Sequence, residues 1–180
     1  MKSITNDKFS QESAMKKLMI ISAAAILTVV LSTSAFAQAT ATQSVTLAVN
    51  TVYKIATSGN PGPLTITDAT AGVDDLTSVS DNSTTYSITQ NFDNTVKITA
   101  HLDAALSAGY TLGLSLASTK GTSAGSMDIS NATSASAVDL VTSIQRGADA
   151  AQQIGYTFSA TATAGTLSST TKTVTLTLTN

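Results

Sequence analysis

Tyr110-Thr111-Leu112-Gly113-Leu114-Ser115-Leu116 places a large apolar residue at every second position. Successive side chains of an extended chain point to opposite faces, so Tyr110, Leu112, Leu114 and Leu116 line one face and leave the other small or polar. This is the spacing of a half-buried β-strand. The same period recurs upstream, where Val45, Leu47 and Val49 alternate with Thr46, Ala48 and Asn50, and the parity continues through Tyr53 and Ile55. A strand is therefore expected over 43–55, followed by a short one with Leu64 and Ile66 and a brief one at Leu76 to Val79. Tyr86 with Ile88, and Val96, Ile98, Ala100 and Leu102, continue the pattern. Downstream come Met127 with Ile129, Val138 to Ile144, Ile154 with Tyr156 and Phe158, and finally Val174, Leu176 and Leu178.

Turn signals separate these runs. Asn60-Pro61-Gly62-Pro63, Asn91-Phe92-Asp93-Asn94, the Gly/Ser/Thr stretch from Lys120 to Ser126 and Arg146-Gly147-Ala148-Asp149 each read as a turn or loop. Residues 68–81 form an Asp/Gly/Ser/Thr-rich connection. Helical spacing is not found over any useful window, and no repeat of 20–50 residues is present, which argues against a propeller or solenoid. The expected fold is all-β: an antiparallel, Ig-like β-sandwich of about 8–10 strands.

A different signal precedes this domain. Met15-Lys16-Lys17 gives a basic start, Leu18 to Leu31 a 14-residue apolar run, and Ala35-Phe36-Ala37 a small-x-small site. That is the layout of a secretory signal-peptide helix, with cleavage after Ala37 and a mature chain from Gln38, so the membrane is met only before cleavage. The domains expected are 1–37, an N-terminal extension plus signal peptide, and 38–180, one β-sandwich. Either Met1 or Met15 can serve as the start. Export leads to the cell exterior, the cell surface or the periplasm.

The 143 residues from Gln38 contain five basic and nine acidic side chains, every acid an Asp, for a net charge of −4. Such a balance gives no footprint for a nucleic acid. Ser and Thr supply 47 of the 143, Thr ahead at 29 to 18, and the Thr residues alternate with Val, Ile and Leu as strand residues do. The chain has no Cys, which excludes disulfides, thiolate metal ligands and a thiol nucleophile.

Candidate chemistry is thin. Gly121-Thr122-Ser123-Ala124-Gly125 matches G-x-S-x-G, but a nucleophile elbow needs a strand-turn-helix context with Asp and then His downstream. The single histidine, His101, lies upstream, on the odd, polar face of the strand that carries Lys97 and Thr99. Asp74-Asp75 and the scattered aspartates lack the D-x-D-x-D-G arrangement of a calcium loop. Thr173, Thr175, Thr177 and Thr179 form a same-face row that suits a solvated strand. No catalytic, cofactor or metal residues are assigned, and no enzyme is expected; Ala35, Ala37 and Gln38 mark the cleavage site.

The chain ends carry more. Residues 43–55 and 173–179 both have high β-propensity, little charge and no Pro, so neither has the usual guards against edge pairing. Such a strand can complete a neighbour's sheet.

Asn50-Thr51-Val52-Tyr53-Lys54-Ile55, Thr85-Tyr86-Ser87-Ile88-Thr89-Gln90-Asn91, Val96-Lys97-Ile98-Thr99-Ala100 and the closing Thr-Val-Thr-Leu-Thr-Leu-Thr, behind the signal peptide, resemble a group of small exported Ser/Thr-rich bacterial β-sandwich proteins. In architecture alone the chain is similar to fimbrial and matrix-filament subunits, without their disulfide, penultimate aromatic or a sortase motif. The resemblance implies no activity and no site residues. The expected function is thus an exported structural or adhesive surface protein that partners itself by β-strand addition, or cell-surface components. The alternative is a secreted or periplasmic ligand-binding module using loops 68–81 and 118–136.

Overall fold

The computed structural model describes residues 39–180, so Ala35, Ala37, Gln38 and the signal segment lie outside the described residues. Residues Ala48–Asn180 make up one compact unit. It contains nine strands: β1 (Tyr53–Thr57), β2 (Val79–Gln90), β3 (Val96–Leu102), β4 (Tyr110–Leu116), β5 (Thr122–Ser123), β6 (Met127–Asp128), β7 (Val138–Ile144), β8 (Gly147–Ala160) and β9 (Val174–Thr179). A single 3-10 turn, Ala162–Ala164, is the only helical element among the described residues.

The strands form two antiparallel sheets, ordered β1-β2-β8-β4-β6 and β5-β7-β3-β9. Both contribute to one hydrophobic cluster. Tyr86, Ile88, Leu112, Leu114, Leu116, Ile154 and Tyr156 come from the first sheet, and Val96, Ile98, Ala100, Leu102, Leu140, Val141 and Ile144 from the second. Alternation dictates this: β4 and β3 each bury every second residue, as their sequences require. β3 adds Thr99, which is buried although it stands on the odd face, flanked by Thr177 of β9 and Asp139 of β7.

Where the period breaks, the backbone shows why. On β8, Tyr86↔Gln152 and Ile88↔Asp149 place three steps opposite two on β2, and Ala151 takes up the extra residue with φ 53°. On β7, Ser143 (φ 55°) plays the same part between Val141 and Ile144. These bulges sit at non-glycine residues, so nothing in the local sequence announces them.

Four expectations need correction. The strand expected over 43–55 exists only from Tyr53; 43–52 pairs with no strand among the described residues and is exposed throughout. Leu64 and Ile66 form no strand, although Leu64 packs against the core as part of an irregular segment. Arg146-Gly147-Ala148-Asp149 is not wholly a turn, because β8 already starts at Gly147 and buries Asp149. Leu76 makes only a single bridge to Ala69, and β2 starts at Val79, earlier than its apolar pattern suggested.

Candidate functional site

Each sheet has two edges. On one side these are β5 and β6, two residues each and therefore poor templates for a further strand. On the other side they are β1 and β9, five and six residues long. β9 carries no charge and no Pro, and β3 is its sole partner among the described residues. Its apolar row, Val174, Leu176 and Leu178, reaches the core but stays half-buried, as does Ile55 on β1. Between these edges lies an open cleft of about 300 Å³, lined by Ile55, Ala56, Thr57, Val174, Thr175 and Leu176.

The chain leading to β1 supplies the second feature. Val52 donates to Asn91 Oδ1 at 2.6 Å and accepts from the Asn91 N–H at 3.2 Å, while Asn91 Nδ2 donates to the Asn50 carbonyl at 2.9 Å. The Tyr53 ring lies 5.7 Å from that of Phe92 and completes the anchorage. Upstream of this point Val45, Leu47 and Val49 are 74%, 87% and 88% exposed. Their i, i+2, i+4 spacing puts all three on one face whenever the backbone is extended.

Other sequence candidates are placed as follows. Ser123 belongs to β5, and its hydroxyl donates to the Leu116 carbonyl at 2.7 Å. Gly121 meets the G-x-S-x-G pattern for a packing reason: a Cβ there would lie 2.6 Å from Ile144 Cγ1 and 2.8 Å from the Thr142 carbonyl oxygen. His101 is half-buried on β3 beside Thr175 of β9, away from any cluster of three or more metal-ligating side chains among the described residues. Asp74, in loop 68–81, accepts from the Thr163 amide and hydroxyl, both at 3.1 Å, and so stitches that loop to the 3-10 turn. A polar groove of about 350 Å³ beside it is lined by Asp75, Leu76, Ser78, Gly109, Thr111, Ser159, Ala160 and Thr161.

Asp149 is the polar residue that sequence reasoning missed. Only 2% exposed, its carboxylate accepts from the Ser118 and Thr119 hydroxyls at 2.8 and 2.7 Å and from the Thr119 and Lys120 amides at 2.9 and 3.3 Å. Burial by itself raises the pKa of this carboxyl, but the Thr119 and Ser118 hydrogen bonds outweigh it and hold the group below its ordinary value. Beside it, burial pushes the Tyr86 phenol up to about 12, its hydroxyl donating to the Ala117 carbonyl. This network pins the start of loop 118–136, so that end of the loop is built into the body. The only available signal was the Ser-Thr-Lys run at 118–120, which resembles ordinary loop composition.

No known protein family, curated relative or solved structure matches the chain.

Proposed function

We propose that this chain is an exported, non-catalytic structural or adhesive protein of the cell surface, an Ig-like β-sandwich whose copies self-associate by β-strand addition. Export rests on the Met15-to-Gln38 pattern of basic start, apolar run and small-x-small site. Assembly rests on one observation: Val45, Leu47 and Val49 alternate as a strand does and are 74–88% exposed. Covering each such side chain is worth roughly 1.5–3 kcal/mol, and a sheet edge would in addition pair the backbone of the segment. Both requirements are met when the segment joins another copy's sheet.

Light scattering and negative-stain imaging over a concentration series test the reading on protein beginning at Gln38. The expected result is fibres of constant width that lengthen with concentration. Replacing Val45, Leu47 and Val49 together by Ser keeps the chain length and the Asn91 anchorage, and is expected to abolish the fibres while the fold, read by circular dichroism, stays intact. A monomer at every concentration, or fibres unchanged in the triple variant, defeats the reading.

A further inference from the structure

We infer that the acceptor for this assembly is the free edge of β9 together with the β1/β9 cleft, and that its occupant is segment 43–49 of a second copy of this chain. The inference rests on the proposed strand addition and names the site where it occurs. Four edges are available, and three are disfavoured by what is visible. β5 and β6 are two residues long. β1 offers only Tyr53 and Ile55 as an apolar row and places Lys54 between them, a charge of the kind that guards an edge. β9 has six uncharged residues and three half-buried apolar side chains, at 174, 176 and 178.

The match between the two partners is specific. Both carry three apolar residues at i, i+2 and i+4, and all three meet their counterparts only when Leu47 lies beside Leu176. In that register Val45, Leu47 and Val49 turn into the cleft, over Val174, Leu176, Leu178 and Ile55, while Thr46 and Ala48 join the outer Thr175 and Thr177 row. Threonines facing threonines across a sheet make favourable cross-strand neighbours. For the segment to reach the β9 edge of its own chain, the backbone would have to reverse within Asn50–Val52. There, hydrogen bonds to Asn91 keep the backbone running on into β1. A second copy has no such restriction.

The absence of Cys from the chain makes the test clean, since engineered thiols have no native competitors. Thr46, Thr175 and Thr177 are exposed, so replacing them leaves the core untouched. Residues directly opposite on neighbouring strands have Cα atoms about 4.5–5.5 Å apart, within disulfide reach. Thr46 would face Thr177 if the added strand runs antiparallel to β9 and Thr175 if it runs parallel. Protein carrying T46C with T177C, or T46C with T175C, is allowed to associate, oxidised and run on a non-reducing gel. A ladder of covalent oligomers from either pair, reversed by reductant and absent from T46C with T122C on the distant β5 edge, is the expected result. Fibres without a crosslink to β9 overturn the acceptor and leave strand addition standing. A disulfide closed within one monomer overturns the second copy as occupant. Failure of the unmodified protein to associate removes strand addition itself, and the acceptor with it.

Discussion

Segments 43–49 and 110–116 have the same period and opposite fates. In the first, Val45, Leu47 and Val49 are 74%, 87% and 88% exposed; in the second, Tyr110 and Leu112 are 9% and Leu114 and Leu116 are 0% exposed. β4 runs between β8, with seven consecutive register pairs, and β6. Among the described residues, the N-terminal segment has no strand on either side. Alternation thus specifies which residues share a face, whereas burial comes from neighbours that the local sequence does not name.

The sharpest way to break this comparison removes the same atoms from both regions. Leu114→Ala leaves a cavity in a fully buried position and is expected to cost about 2–5 kcal/mol. Leu47→Ala, in dilute protein, is expected to change stability by less than about 0.5 kcal/mol, because no packing is lost. Urea unfolding at low concentration measures both. A Leu47→Ala cost near that of Leu114→Ala would mean that the segment is already covered within one chain.

A smaller effect tests whether the polar interior is as built-in as the apolar one. Asp149→Ala strands several hydroxyl and amide donors and is expected to cost about 2–4 kcal/mol at neutral pH. The folded-state pKa of this carboxyl lies below that of the unfolded chain, so on acidification the unfolded chain takes up the proton first. Its contribution is therefore complete above the ordinary value of 3.8 and is lost as pH falls through the lowered one. The stability gap between the native protein and Asp149→Ala should accordingly narrow in chemical unfolding series taken below pH 3.8. A gap that stays constant into that range would separate the hydrogen bonds from the charge.

A surface ion pair gives a small effect as well. Lys97 and Asp139 meet at 2.9 Å across β3 and β7 with side chains 41% and 45% exposed. Lys97→Ala is expected to cost less than about 1 kcal/mol, and the loss should shrink in high salt. Thermal melts at two salt concentrations would show it.

Much of this architecture was legible from side-chain period alone. β3, β4, β9 and the Ile154–Phe158 half of β8 lie where their apolar residues alternate, and the Asn91–Asn94 turn lies between β2 and β3. What escaped depends on contacts remote in the sequence. Residues 43–52 read as strand because the period cannot report a missing neighbour. Asp149 read as turn because Arg146-Gly147-Ala148-Asp149 has turn composition, whereas its burial is set by Ser118 and Thr119, about thirty residues away. For the proposed assembly site, the apolar row at 45, 47 and 49 and the uncharged last strand were both visible. That β1 and β9 end up as the long edges beside one cleft was not, since lateral order comes from long-range pairing.

The bulge at Ala151 has a further consequence for how β8 can vary. Asp149 reaches the interior on odd numbering, and Ile154, Tyr156 and Ala160 reach it on even numbering, so one continuous strand is read in two phases joined at a single residue. The first phase delivers a carboxylate that holds a loop, and the second an apolar row that holds two sheets. A regular strand of the same length, with no bulge at this point, could keep only one of those deliveries. Between 149 and 154 the extra residue and the left-handed backbone at Ala151 therefore belong together, because a regular backbone carrying that residue would turn either Asp149 or the Ile154 row outward.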